Sequence, residues 1–150
     1  MKLSEKQRQA ETASFENEKI SGRALFVVMN HALTEEQIED AEHSLGVGKT
    51  IYMPEDLKKI WENILPDKPG IKHLLAPFDR WLEDAARKDD LALIQGDFGA
   101  CYLMVNLVLA KGLVPVYATT KRAVVEIHQT DGSVRSERYF RHVRFRKYGE

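Results

Sequence analysis

Two short runs, "RALFVVMN" from Arg23 and "LALIQG" from Leu91, are apolar without alternation, the signature of strands buried on both faces. Each is followed by a segment of helical periodicity, and that succession constrains the chain more than any other feature. Thr34-Glu35-Glu36-Gln37 forms a capping box, with Ile38, Ala41 and Leu45 at helical spacing and Gly46 as the stop. "KTIYMP" reads as a second strand. "EDLKKIWENIL" reads as a short helix with Leu57, Ile60, Trp61 and Ile64 on one face. After a break at Pro66 to Gly70, "IKHLLAPFDRWLEDAARK" predicts a helix that Pro77 kinks or restarts. Residues Phe98 to Lys111 predict a nearly all-apolar helix ended by Gly112, and "LVPVYATT" a fourth strand. Pro115 points to an edge or a bulge in that strand.

The last 30 residues differ. "RAVVEIHQ" and "VRSERYFRHVRFRKY" flank Asp131-Gly132 and read as a hairpin or pair of strands. The expected fold is α/β: a Rossmann-like, mostly parallel sheet flanked by helices, closed by a C-terminal β-hairpin. Residues 1–22 are polar and weakly patterned and read as a tail, leaving one domain over 23–150.

The net charge of −1 argues against a general nucleic-acid coat, which needs a strong positive excess. Charge is nonetheless uneven. The last 30 residues hold eight Lys/Arg against four Asp/Glu, leaving 14 of the 22 Lys/Arg and 19 of the 23 Asp/Glu in the first 120. On a regular strand Arg138, Arg144 and Arg146 share one face, and Arg135 and Arg141 the other, so no single stripe is expected. The lone Cys101 cannot close an internal disulfide and reads as a small buried hydrophobe. Five scattered histidines make a structural zinc site unexpected. No apolar run suits a membrane span or a signal peptide, so a cytoplasmic protein is expected.

Parallel α/β sheets bind ligands beyond the carboxyl ends of their strands. There the sequence places Met29-Asn30-His31, Gln95-Gly96-Asp97 and Thr119-Thr120-Lys121-Arg122. An imidazole, two amides, hydroxyls, two cations and a helix start suit an anionic ligand carrying heteroaromatic bases. Each part also has a plainer use: Asp97 as an N-cap, His31 bonded to a loop carbonyl, Lys121-Arg122 as a solvated pair. Gly96 and Gly99 fit neither the dinucleotide fingerprint nor the P-loop, and read as allowing close backbone approach. Tyr52, Trp61 and Trp81 read as packing residues.

The strings "VMNHALTEEQIEDAEHSLGV", "YMPEDLKKIWENI", "LIQGDFGACYLMVNLVLAKGLVPVYATTKR" and "FRHVRFRKY" resemble the small stand-alone CRISPR-associated Rossmann-fold (CARF-related) proteins of type III systems, over about residues 24 to 148. That resemblance implies a homodimer holding a cyclic oligoadenylate, most simply cyclic tetra-adenylate, across its two-fold axis. It implies a ring nuclease that needs no metal or cofactor and releases linear di-adenylate with a 2′,3′-cyclic phosphate. His31 would move a proton, and Lys121 and Arg122 would balance charge. Asn30, Thr34, Gln95, Gly96, Asp97, Phe98, Gly99, Thr119 and Thr120 would hold ribose, base and phosphate. The alternatives are a sensor or sponge that binds the ring without cutting it, and an RNA-binding accessory protein using the C-terminal arginines.

Overall fold

The computed structural model describes residues 22–150. The tail expected over residues 1–22 therefore lies, but for Gly22, outside the described residues. The strands are β1 (Arg23–Val28), β2 (Val47–Tyr52), β3 (Leu91–Ile94), β4 (Val114–His128) and β5 (Val134–Lys147). The helices are α1 (Glu35–Leu45), α2 (Glu55–Glu62), α3 (Ala76–Ala85) and α4 (Phe98–Ala110), with a 3-10 turn at Lys72–Leu75. The sheet order is β2-β1-β3-β4-β5; all pairs are parallel except β4 with β5. This is the expected α/β architecture with its terminal hairpin.

The apolar runs account for the centre. Along β1, Ala24, Phe26 and Val28 face one core, shared with Leu57 and Trp61 of α2, Phe78 and Leu82 of α3, and Met104 and Val108 of α4. Leu25 and Val27 face the other, shared with Ala41 of α1 and Phe145 of β5. Phe26 meets the Trp81 ring edge-on at 5.3 Å, the geometry favoured by aromatic quadrupoles. A helix on each face of β1 and β3 thus explains why neither run alternates.

Local signals hold where they were strong. Thr34 Oγ1 accepts from the Gln37 amide at 3.2 Å, and Gln37 Oε1 from the Thr34 amide at 3.0 Å, completing the box. Gly46 ends α1 at φ 66°, a conformation that penalises a Cβ. Pro77 begins α3 rather than kinking one long helix, because its missing N–H falls where no intrahelical bond is due.

Two expectations change. Residues 114–128 form one continuous 15-residue strand, not a fourth strand followed by a separate one. Pro115 marks neither an edge nor a bulge: β4 lies between β3 and β5, with Pro115 opposite Ala92. The Pro115 carbonyl accepts from the Tyr148 amide at 3.0 Å. A residue's N and C=O point the same way in a strand, and β5 ends at Lys147, so no ladder acceptor is lost there.

Asp90 is the one charged residue buried among the described residues, and it anchors the start of β3. Its carboxylate accepts from the Ala24 amide at 3.0 Å and the Arg87 amide at 2.8 Å. Asp90→Ala strips partners from both amides and should cost on the order of 3 kcal/mol. Urea denaturation checks this: an unchanged midpoint would remove Asp90 from the interactions that hold β1 and β3 together.

Candidate ligand-binding edge

The ends of β1 and β3 lie side by side, with β4 passing alongside and running on to His128, so Thr119 to Arg122 stand within that strand and not at its carboxyl end; three cavities open along this edge. One, about 280 Å³, is lined by Met29, His31, Tyr52, Met53 and Lys58 at the β1–β2 end. A second, about 520 Å³, lies between α4 and the hairpin and is lined by Gln95, Gly96, Phe98, Tyr102, Tyr117 and Tyr148. The third, about 540 Å³, lies between the start of α1 and the hairpin and is lined by Thr34, Gln37, Thr120, Phe140, Arg141 and His142.

Gln95 fixes the middle of this edge. Its amide donates to the Val28 carbonyl at 3.0 Å, its carbonyl accepts from Trp61 Nε1 at 3.0 Å, and its side-chain Oε1 accepts from the Ala118 amide at 2.9 Å. One residue ties β1, α2 and β4 together just past the end of β3. The buried Trp61 indole packs closely against Gly96: a Cβ there would sit 2.7 Å from Nε1 and 3.0 Å from Cε2. Gly96 is thus required by packing. Gly99 is not, since a Cβ there meets only ordinary contacts, Asp97 Oδ2 at 3.4 Å and Ile71 Cδ1 at 3.7 Å. Asp97 caps α4, its carboxylate accepting from the Ala100 amide at 2.9 Å. The amides of Phe98 and Gly99 in that first turn have no helical acceptor and face the edge.

Other expected residues divide. Asn30 and His31 are exposed just past β1, with His31 in the β1–β2 cavity. Thr34 spends its hydroxyl on the cap. Thr119 spends its hydroxyl on β5, donating to the Arg144 carbonyl at 2.9 Å and accepting from the Arg144 amide at 3.2 Å. Lys121 and Arg122 are successive residues of β4 and project from opposite faces of the hairpin. Neither Lys121 nor Arg122 lines any of these three cavities, so none of the three holds His31 together with either cation. Tyr52, expected in the core, is instead half-exposed: it lines the cavity of His31, and its hydroxyl accepts from the Leu33 amide at 3.3 Å. Cys101 is half-buried, and burial pushes its thiol upward. Burial likewise raises the Tyr148 phenol, to about 12, while its hydroxyl donates to the Ile94 carbonyl at 2.6 Å.

The arginine pattern is also corrected. Thr119 pairs with Arg144 but Thr120 with His142, so Val143 is an extra residue in β5. Such a bulge reverses the alternation beyond it. The register puts Arg135 and Arg141 on the same face as Arg144 and Arg146, with Arg138 opposite. Two of the four are engaged, Arg135 with Glu137 and Arg141 with Glu36, each at 3.2 Å.

The same bulge turns His142 inward beside Phe145, ring centroids 4.7 Å apart. There His142 Nε2 meets Asp40 Oδ2 at 2.7 Å, and Ser44 donates to Asp40 Oδ1 at 2.5 Å. His142 is 5% exposed, and its Nδ1 has no partner. Both residues stand in the motif strings, but only a bulge brings them together, and no sequence period announces one. Burial works to raise the Asp40 carboxyl, yet the hydrogen bonds from Ser44 and His142 outweigh it and hold the group below its ordinary range.

Among the described residues no three His, Cys, Asp or Glu side chains come together as a metal cage, and no helix is long and apolar enough to cross a membrane.

Two predictions follow from this geometry. Gly96→Val should lower the melting temperature by driving a methyl into Trp61, whereas Gly99→Ala should melt like wild type; equal melting of all three proteins would refute the packing role. A carboxyl depressed on folding contributes stability above its unfolded pKa of about 3.9 and loses it as pH falls through the lower folded value. Asp40→Asn should therefore be less stable than wild type at pH 7, with the difference shrinking toward pH 2. Parallel stability–pH curves for the two proteins would contradict this.

Comparison with known proteins gives a family but no template. The family model described as "Uncharacterized protein MJ1673 family" matches residues 23–146. The protein described as "Uncharacterized protein MJ1673", from Methanocaldococcus jannaschii, is 46% identical over 124 residues, 83% of this chain and 95% of that protein. No solved structure matches the chain.

Proposed function

The chain belongs to the MJ1673 family, and from the edge it builds we propose that it binds a cyclic oligoadenylate there, as one of two identical half-sites, and cleaves the ring. The observation that carries this reading is the spread of the polar groups. Those just past β1 and those of β4 from Thr119 to Arg122 are separated by β3 and hence by about 10 Å, two strand spacings. A mononucleotide phosphate does not span that distance, whereas a ring of several nucleotides does. The unpaired amides at the start of α4 suit a phosphate oxygen, and the exposed aromatic rings of Phe98, Tyr102 and Tyr52 suit bases. The substrate class itself rests on the resemblance to CARF-related ring nucleases.

The chemistry is an internal transesterification. The ribose 2′-oxygen attacks the adjacent phosphorus, the bond from phosphorus to the 5′-oxygen breaks, and one proton passes from the 2′-hydroxyl to the departing 5′-oxygen. No water is consumed, and two such cuts turn cyclic tetra-adenylate into two linear di-adenylates ending in 2′,3′-cyclic phosphates. His31 is the residue assigned to the proton, since imidazole exchanges one near neutrality. Lys121 or Arg122, not both on one phosphate, would offset charge in the transition state. Binding without cleavage is the second reading, favoured by one observation: within one chain neither Lys121 nor Arg122 lines the cavity that His31 lines.

Incubation of the protein with cyclic tetra-adenylate in EDTA, followed by chromatography and mass spectrometry, should yield linear di-adenylate with a cyclic phosphate end. His31→Ala should bind the ring normally and turn it over on the order of 10²–10⁴-fold more slowly. Stoichiometric binding of an intact ring would select the second reading. No binding of either the tetra- or the hexa-adenylate ring would sink both.

A further inference from the structure

The bulge at Val143 gives the hairpin two unlike faces. Val116 and Ala118 pack into the core shared with α1, so strand alternation turns the odd-numbered residues from Tyr117 to Ile127 toward the α4 side. Across from them on β5 stand Arg146, Arg144, Arg141, Tyr139, Glu137 and Arg135. With Lys121, that face carries five Lys/Arg against the single acid Glu137, and all five cations are exposed. The opposite face of the hairpin carries Arg122 and Arg138 against Glu126. Among the described residues, ion pairs engage Arg135 and Arg141 and leave Lys121, Arg144 and Arg146 without one. A chain of net charge −1 thus concentrates positive charge on one side of one ribbon, a local field that the total conceals. Aromatic rings accompany the cations. Tyr139 stands exposed within the strip, and at its base the cavity of about 520 Å³ is lined by the rings of Phe98, Tyr102, Tyr117 and Tyr148. Helix α4, the wall of that cavity, has no ionisable side chain over its 13 residues and so sets no charge against an anion.

We propose that this face binds a linear single-stranded RNA, its phosphates along Lys121, Arg144 and Arg146 and its bases on Tyr139 and in the aromatic cavity. Charge selects a polyanion, since a row of like charges on a bare ribbon is self-repelling until a ligand of opposite sign covers it. The interleaved rings select unpaired bases, because a duplex keeps its base faces stacked on one another. RNA is the polynucleotide whose bases proteins ordinarily read unpaired and stacked on aromatic side chains. The spacing also fits. Residues on one face of a strand recur about every 6.8 Å, close to the separation of successive phosphates in an extended chain of nucleotides. From Tyr117 to Ile127 the strip runs about 34 Å, enough for several nucleotides. Such a groove with stacking platforms is the usual means of holding a single strand with little regard to sequence. The inference goes beyond the ring-binding reading and does not depend on it.

Fluorescence anisotropy with a labelled single-stranded RNA of mixed sequence, about 12 nucleotides long, tests it. Wild type should bind, with affinity falling on a log–log salt slope of roughly −2 to −3.5, about −0.7 for each of three to five phosphates neutralised. Arg144→Gln combined with Arg146→Gln should weaken binding by about 10-fold or more and flatten that slope by about 1.4, while keeping wild-type circular dichroism. Tyr139→Ala should weaken binding by about fivefold or more through lost stacking. Arg138→Gln, on the opposite face, should bind like wild type. No binding at about 50 mM salt would overturn the proposal. So would an equal loss in Arg138→Gln and the double variant, or equal affinity for the same RNA as a duplex. Displacement by poly-glutamate as effective as by unlabelled RNA would also overturn it, assigning the strip to an acidic protein partner. Because the probe is linear, each outcome stands whether or not the protein opens a ring of adenylates.

Discussion

The shape of the ligand-facing edge depends on the three hydrogen bonds of Gln95. β3 is only four residues long and ends at Ile94, level with Val28 at the end of β1, whereas β4 runs on past both, so the sheet would splay there. The Gln95 amide closes onto β1, its carbonyl onto Trp61, and its side chain supplies the bond to β4 that a longer β3 would have made. A buried tryptophan then needs a flat neighbour, and Gly96 provides it. Only with that junction closed can Asp97 start α4 immediately and leave the next two amides facing outward. The abrupt passage from strand to helix is therefore set by packing below the edge, and the anion-suited amides above it follow from that packing.

A second constraint acts at the hairpin. Val143, the extra residue in β5, costs one rung of pairing, and Thr119 compensates by bonding both polar backbone groups of Arg144. That shift turns His142 toward Asp40 and joins β5 to α1, which otherwise follows β1 and leads to β2 at the far side of the sheet. Phe145, His142 and Asp40 thus close one face of the molecule across its full width. His142 is nearly enclosed and Asp40 partly exposed, so removing the carboxylate would leave an enclosed imidazole without its partner.

These two junctions also explain which features were legible in the sequence. Unbroken apolar runs, the Thr34–Gln37 box, Gly46, Gly112 and the Asp131-Gly132 turn are local signals, each complete within a few residues, and each has its structural counterpart. What the sequence hides is long-range. Nothing local announces that Gln95 bonds to Ala118, that Trp61 lies on Gly96, or that Val143 is unpaired. Strand alternation assumes an unbroken ladder, so a single bulge was enough to invert the expected grouping of the arginines. Tyr52 was misjudged for a related reason: an apolar neighbourhood in sequence does not reveal that an edge strand ends at a cavity. The candidate edge was legible as a place, through the strand-end rule, and much less so as a set of free side chains, because Thr34, Asp97 and Thr119 are engaged in holding the fold.

That engagement bears on how such an edge could do chemistry. With those side chains committed, the groups left to meet a ligand are the Phe98 and Gly99 amides, Asn30 and His31 beyond β1, and the cations of the hairpin. They are separated by the width of β3, and neither Lys121 nor Arg122 lines the cavity of His31, so no single phosphate can touch them all. A ligand with several phosphates can, and so can two edges facing one another. Two such edges facing one another would bring the cations of one hairpin toward the imidazole of the other copy, so that groups separated within one chain would be completed between chains.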